Sequence, residues 1–472
     1  MIFTQYYLDC LSHASYLIGD ETTGRAVVVD PRRDVQEYLD DAAAAGLTIE
    51  LVIETHFHAD FLSGHLELAD ATGAEIAYGE AAQAEFPIRR LGDGERISLG
   101  EVVLEVRATP GHTPESISVV VYEHEGDEVP YGVLTGDTLF IGDVGRPDLL
   151  ASFGVTKEEL ARSLYSSLHD QLMTLPDEAR VFPAHGAGSA CGKNLSTETV
   201  STIGEQRVSN YAIQLPDVDT FIETVTEGQP EAPAYFTYDA VRNRQARELL
   251  EETEPPTPLS VDEVVRLQSE GAVVVDTRDA AEFSNGHLRG SLNVGLEGRY
   301  AEYAGSVIPQ GAPIVIVAEP DTGAEAKIRL ARIGFDEVVG ELATPQQAFM
   351  EHPELIERAS RLTADQLRER IAEVPDLVLV DVRNPGEVAL GSIEGATAIP
   401  VGHLDRDLEQ LDRTRPTVVF CAGGYRSSLA ASLLRAAGFD DVSDLLGGYG
   451  AWTAADGGTP ERSPAVSAGR KD

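Results

Sequence analysis

Seven residues of this 472-residue chain, Thr55-His56-Phe57-His58-Ala59-Asp60-Phe61, have the types and spacing of a metal-binding loop. They follow Leu51-Val52-Ile53, a short apolar run of the kind that forms a buried strand. The cluster therefore sits where a strand gives way to a loop, at a sheet edge. Alternate residues of extended chain point the same way, so His56, His58 and Asp60 can converge on one ion. A series H-x-H-x-D-H would serve two metals, but here Phe61 puts an apolar ring in the last place, and that ring cannot ligate.

Three further segments repeat the arrangement of a ligand-capable residue just past a strand: Thr109-Pro110-Gly111-His112-Thr113, Thr135-Gly136-Asp137-Thr138 and Pro183-Ala184-His185. Each His taken alone reads as a helix cap or a satisfied surface group; the set reads as a sheet-edge metal site. A different chemistry is written into Thr417-Val418-Val419-Phe420-Cys421-Ala422-Gly423-Gly424-Tyr425-Arg426. A strand delivers Cys421 to a short loop in which Gly423 and Gly424 let backbone N–H groups turn inward, and a helix follows. N–H groups and a helix N-terminus stabilise an anion, which favours a thiolate, a persulfide or a bound oxyanion, with Arg426 closing the ring.

The elements that must position these residues alternate along the chain. Up to about residue 250, strands are expected at Ser15–Ile18, Ala26–Asp30, Val102–Ala108, Ile117–Tyr122 and Gly132–Thr135, with helices at Val35–Ala45 and Lys157–Leu168. The charged, proline-rich stretch Glu251 to Pro258 reads as a linker. An internal repeat follows: Val275-Asp276-Thr277-Arg278 with Glu282 matches Val380-Asp381-Val382-Arg383 with Glu387, and Gly290 matches Gly395. Each copy opens with Leu-Ser or Leu-Thr before a helix, at Val261–Gln268 and Ala364–Glu373. Three domains are expected, at 1–250, 258–355 and 361–460, with a frayed tail from about Ala454. In the first copy Val317 or Ala318 falls opposite Cys421, so that copy holds no thiol there.

Residues 1–250 resemble the metallo-β-lactamase superfamily, in which Thr-His-x-His-x-Asp, Thr-Pro-Gly-His-Thr, Thr-Gly-Asp and Pro-Ala-His occur in this order. Gly136-Asp137-Thr138-Leu139-Phe140 followed by Gly145-Arg146-Pro147-Asp148 is similar to the persulfide dioxygenases of that superfamily. The repeats resemble rhodanese domains. The second has the C-x₄-R loop spacing of rhodaneses, where cysteine phosphatases have C-x₅-R. The resemblance implies an α/β multidomain protein: an N-terminal αββα sandwich, an inactive rhodanese-like domain and an active one. It implies His56, His112 and Asp137 as ligands of one Fe(II), with zinc as the alternative metal. His58, Asp60 and His185 would be supporting groups or part of a second metal site. Two imidazoles and one carboxylate leave coordination positions open, which suits an oxygenase.

By the same likeness a small-molecule persulfide and O₂ would yield sulfite, and Cys421 would pass sulfur from a second persulfide to sulfite, giving thiosulfate in sulfide detoxification. Arg146 and Asp148 are candidates for substrate contact, Arg146 equally for a core ion pair. Cys191, in a Gly-rich loop expected to be flexible, is a candidate for persulfide handling or a small buried residue. Cys10 reads as structural. The rival reading is a binuclear zinc hydrolase acting on a thioester or lactone, with a rhodanese attached.

Three cysteines make no disulfide framework, no apolar run is long enough to span a bilayer, and no basic residue precedes Arg25. A cytoplasmic homo-oligomer is expected. The 79 acidic residues outnumber 36 basic ones for a net charge of −43, which disfavours nucleic acid and anionic membranes. Only Lys157, Lys193, Lys327 and Lys471 are lysines, so 32 of the basic residues are arginines. A surface this acidic suits a salt-rich cytoplasm, where screening relieves the repulsion. Dialysis from molar salt into dilute buffer is expected to unfold the chain, followed by circular dichroism; undiminished stability without salt would refute the halophilic reading.

Overall fold

The computed structural model describes residues 1–149, 154–193, 195–229 and 232–455. One compact unit comprises Met1–Glu252 with Ala331–Gly334, and the other begins at Thr253.

Among the described residues of the first unit, twelve strands form two six-stranded sheets. One runs β1 (Ile2–Leu8), β2 (His13–Asp20), β3 (Arg25–Val29), β4 (Thr48–Ile53), β5 (Glu75–Gly79) and β6 (Arg89–Leu91) in sequence order. The other runs in reverse, from β12 (Ser201–Thr202) through β11 (Arg180–Pro183), β10 (Gly132–Gly136), β9 (Ile117–Tyr122) and β8 (Val103–Ala108) to β7 (Arg96–Ser98). Strand alternation sorts the side chains. Val27 and Val29 of β3, with Leu51 and Ile53 of β4, pack between the sheets against Val106, Val119, Val121 and Phe182. Ala26, Val28 and Val52 face outward onto Tyr38 and Ala42 of the helix Gln36–Ala44 and Leu68 of the helix His65–Thr72. On the far side Val120, Val133 and Val181 meet Ala161, Leu164, Phe221 and Val225. The result is the expected four-layer helix–sheet–sheet–helix sandwich.

The helix beginning at Lys157 departs from expectation at its end. Its regular α-turns stop at Ser166, and Ser167–Leu172 form a π-helical segment. Within it Ser167 donates to the Pro110 carbonyl at 2.7 Å, which ties the segment to the turn carrying His112.

The second unit holds two parallel five-stranded sheets of the same order. The first runs Pro258–Leu259, Val338–Leu342, Ile314–Val317, Val273–Asp276, Leu292–Asn293; the second runs Ser360–Leu362, Val442–Leu445, Thr417–Phe420, Val378–Asp381, Thr397–Ala398. The Ser260 and Thr363 side chains cap the helices that follow them in reciprocal capping boxes with Glu263 and Gln366.

The Asp-x-Arg repeat is a buried clamp. Arg278 grips both carboxylate oxygens of Asp276, at 2.9 and 2.5 Å, and donates to the Gly286 carbonyl at 2.9 Å. Arg383 grips Asp381 at 2.9 and 2.6 Å and the Gly391 carbonyl at 2.6 Å. The tail expected from Ala454 is helical through Ala455, and the rest of it, with residues 456–460 of the last expected domain, lies outside the described residues.

The single tryptophan, Trp452, sits in the helix Gly448–Ala455 under the Arg368 guanidinium, 4.5 Å from the ring centre, and reports on the second repeat. Arg383→Met leaves Asp381 buried without its partner. The unfolding transition seen by Trp452 fluorescence in urea is expected to lose about 3–5 kcal/mol; a loss below about 1 kcal/mol would show that the clamp is not structural.

A two-histidine, one-carboxylate centre and a cysteine anion loop

The four strand-end segments of the first unit converge. His56 follows β4, His112 follows β8, Asp137 follows β10 and His185 follows β11, and all four are buried. One ligand atom each from His56, His112 and Asp137 lies within 4.8 Å of the others. The Asp137 Oδ2 is 3.8 Å from His56 Nε2 and 3.5 Å from His112 Nε2, and it is buried with no hydrogen-bond partner.

The outer hydrogen bonds set the tautomers. The Thr55 hydroxyl donates to Asp30 Oδ2 at 2.8 Å, so His56 Nδ1, 3.0 Å from the same hydroxyl, must be the donor to it. His112 Nδ1 lies 2.9 Å from the Arg146 carbonyl, which only accepts. Both Nε2 lone pairs are thereby left facing the free carboxylate oxygen, the second-sphere arrangement that orients metal-binding histidines. Gly145 makes the Arg146 approach possible, since a Cβ there would lie 1.8 Å from the Asp137 carbonyl oxygen.

Electrostatics agree with the geometry. Burial holds His56 well below the usual histidine range, and burial likewise lowers His112. Burial alone would raise Asp137, but His185, with His56 and His112, holds its carboxyl well below the usual range. His185 is buried yet raised well above the usual range, because its two nitrogens face carboxylates: Asp137 Oδ1 at 2.7 Å and Asp60 Oδ2 at 2.8 Å. Two neutral imidazoles and an ionised carboxylate with one free oxygen fit a divalent metal ion with open positions.

His58, Asp60 and His185 form a second group of atoms within 4.8 Å. His58 Nε2 lies 3.1 Å from Asp30 Oδ1, and the Phe61 ring packs across His58 at 4.4 Å and His13 at 4.0 Å between ring centres. His13, Asp30 and Glu54 were not picked out from the sequence. Asp30 ends the run Val27-Val28-Val29 in the same strand-end position as Asp137, and that was the available signal.

Arg146 and Cys191 each lie in the surroundings that one of their two readings anticipates, a core ion pair and a buried position. Arg146 is buried and its guanidinium takes both oxygens of Asp148 at 2.8 Å, so the two residues offered for substrate contact are ion-paired with each other. The loop carrying Cys191 is not open: the thiol is buried, and its sulfur groups with Asp137 and His185. Burial, together with the Asp60 and Asp137 charges, pushes that thiol well above the usual range. Cys10 lies in the partly exposed turn between β1 and β2.

In the second unit Cys421 ends the strand Thr417–Phe420 and is 1% exposed. The Gly424 N–H donates to its sulfur at 3.1 Å, and Ser427 Oγ is 3.6 Å away. Gly424, at φ +107°, turns the chain into the helix Tyr425–Ala436. Arg426 is held by Glu387 through two bonds at 2.6 and 2.7 Å, a partner that the repeat pattern marked without revealing its role. The first repeat abuts this loop: Tyr425 donates to the Gly295 carbonyl at 2.5 Å, and Tyr303 lies 5.3 Å from the Tyr425 ring. Asp276 pairs with Val317 as Asp381 pairs with Phe420, so Ala318 is the residue opposite Cys421.

A model of the metallo-β-lactamase superfamily matches residues 8–185, and the rhodanese-like domain model matches 260–344 and 363–455. Mitochondrial persulfide dioxygenase ETHE1 from Bos taurus and from Homo sapiens are each 32% identical over 209 residues, covering 43% of this chain and 71% of theirs. The crystal structure of a metallo-β-lactamase from Staphylococcus aureus superposes with a TM-score of 0.65 at 32% identity, over 72% of this chain and 98% of that one. The chain thus belongs to the persulfide dioxygenase family of the metallo-β-lactamase superfamily, with two rhodanese-like domains joined C-terminal to that part.

Proposed function

We propose that the chain oxidises a low-molecular-weight persulfide to sulfite at one Fe(II) and makes thiosulfate at Cys421, in sulfide detoxification. The observation that carries this reading is the unpartnered Asp137 Oδ2 facing two imidazole nitrogens, with the Phe61 ring packed on His58 at the sequence position where a further ligand would stand. A ferrous ion held by His56, His112 and Asp137 would supply open positions at which persulfide and dioxygen meet. Persulfide, O₂ and water balance to a thiol and sulfurous acid. Thr55 and the Arg146 carbonyl keep both imidazoles aimed, and His185 keeps Asp137 ionised.

At the second site Cys421 attacks the outer sulfur of another persulfide; an S–S bond forms to Cys421, the original S–S bond breaks and the thiolate leaves. Sulfite then attacks that outer sulfur, thiosulfate departs and the Cys421 thiolate returns. The Gly424 N–H bears on the sulfur, and Arg426, steadied by Glu387, offers a cation to the oxyanion. The first repeat, with Ala318 in place of the thiol, has no part in sulfur transfer by this route.

A binuclear zinc hydrolase is the second reading, and the grouping of His58, Asp60 and His185 favours it. Metal analysis separates the two, since one iron with O₂ uptake supports the oxygenase and two zincs support the hydrolase. Given a small-molecule persulfide, Cys421→Ser is expected to consume O₂ at the wild-type rate and accumulate sulfite while thiosulfate falls to the uncatalysed level. Absence of O₂ uptake by iron-loaded wild type would overturn the oxygenase assignment. Phe61→His is expected to raise zinc capacity from one to two ions per chain by equilibrium dialysis; an unchanged capacity would show that Phe61 does not set the stoichiometry.

A further inference from the structure

The loop between β4 and the helix His65–Thr72 carries His58, Asp60 and Phe61 with no regular secondary structure, so its backbone groups need partners from elsewhere. One side chain supplies three of them. Asn243, buried at 1% exposure and far along the chain, donates through Nδ2 to the His58 carbonyl and the Phe61 carbonyl, both at 2.8 Å. Its Oδ1 accepts the Ser63 N–H at 2.9 Å. Both amide protons and the amide oxygen are engaged, and the two carbonyls and one N–H around it fix which way the carboxamide points.

The residues after Asn243 add to the hold. The Arg244 guanidinium lies over the Phe57 ring at 4.8 Å, and Arg247 donates to the Ser63 carbonyl and to both oxygens of Glu67. This segment lies past residue 185, where the superfamily match ends.

We propose that Asn243 is a positioning residue for the metal centre: its carboxamide holds the 58–63 loop so that Asp60 meets His185 and the Phe61 ring lies across His13 and His58. Without it, two carbonyls and an N–H lose partners inside a buried loop, and the loop must shift to find others. His56 and Asp60, which flank the first bonded carbonyl, shift with it. The inference rests on the one-ion reading of the site.

The test uses the full-length, metal-stripped chain and Zn²⁺ alone, titrated against a chromophoric chelator without substrate. Asn243→Ala is expected to bind the ion about 10- to 100-fold more weakly, as loss of an outer-shell partner does. Val225→Ala, in the core away from the loop, controls for stability: it should lower the melting temperature and leave affinity within twofold. Asn243→Ala within twofold of wild type would overturn the proposal, as would equal weakening by both variants. Should Asn243→Ala not fold, hydrogen exchange on the wild type decides. Peptides covering 57–64 should be protected in the metal-free protein nearly as well as β4. Fast exchange that slows only when Zn²⁺ is added would overturn the proposal, because the metal and not Asn243 would then order the loop. Two zincs in the wild type would refute the one-ion reading and leave the comparison of affinities standing as the test of Asn243.

Discussion

The first unit turns on a single buried carboxylate with divided obligations. Asp137 gives one oxygen to His185 and leaves the other unpaired among histidine nitrogens. A buried anion survives only where opposite charge and hydrogen bonds repay its lost hydration. Here His185 supplies enough of both to keep Asp137 ionised, and Asp60 behind His185 extends the alternation of charge. The other oxygen has no hydrogen-bond partner, and the Nε2 atoms of His56 and His112 lie 3.8 and 3.5 Å from it. Everything that orients those imidazoles, from Thr55 and Asp30 to the Arg146 carbonyl, serves that one arrangement.

The second unit separates fold from chemistry. Both repeats keep the same strand order and the same arginine clamp across the end of the second strand. Only one keeps a thiol at the following strand end. The clamp is a requirement of the sheet, because an Asp buried at a strand terminus needs its charge and lone pairs answered locally. The loop chemistry is added to that scaffold and can be absent from it, as Ala318 shows. The first repeat, without a thiol of its own at this position, still contributes Gly295 and Tyr303 around Tyr425, next to Arg426.

Much of this was legible along the chain. Strand ends, the duplicated Asp-x-Arg pattern and the Leu-Ser and Leu-Thr helix starts follow from periodicity, spacing and the residues that end each run. Spacing alone suggests His56, His58 and Asp60 on one ion, whereas His56 groups with His112 and Asp137, the set the family resemblance implies, and His58 and Asp60 group with His185. Arg146 was legible as a chemical group with two uses open to it, substrate contact or a core ion pair, and its guanidinium is paired with Asp148. For Cys191 the glycines around it were legible, whereas the buried acids and histidine beside it come from the ends of β10 and β11 and from the 58–63 loop.

The sequence by itself determined which residues are capable of chemistry and at which strand ends they stand, because strand and helix periods are local and each such residue lies within a few positions of the run that delivers it. Only the tertiary structure decided their partners. Asp30 behind Thr55, Glu387 on Arg426, Asp137 divided between His185 and the imidazoles, and Asn243 under the 58–63 loop all join residues far apart in the chain. Such pairings depend on sheet order and on which buried polar atoms are left needing a partner, and neither quantity is carried by any short stretch of residues.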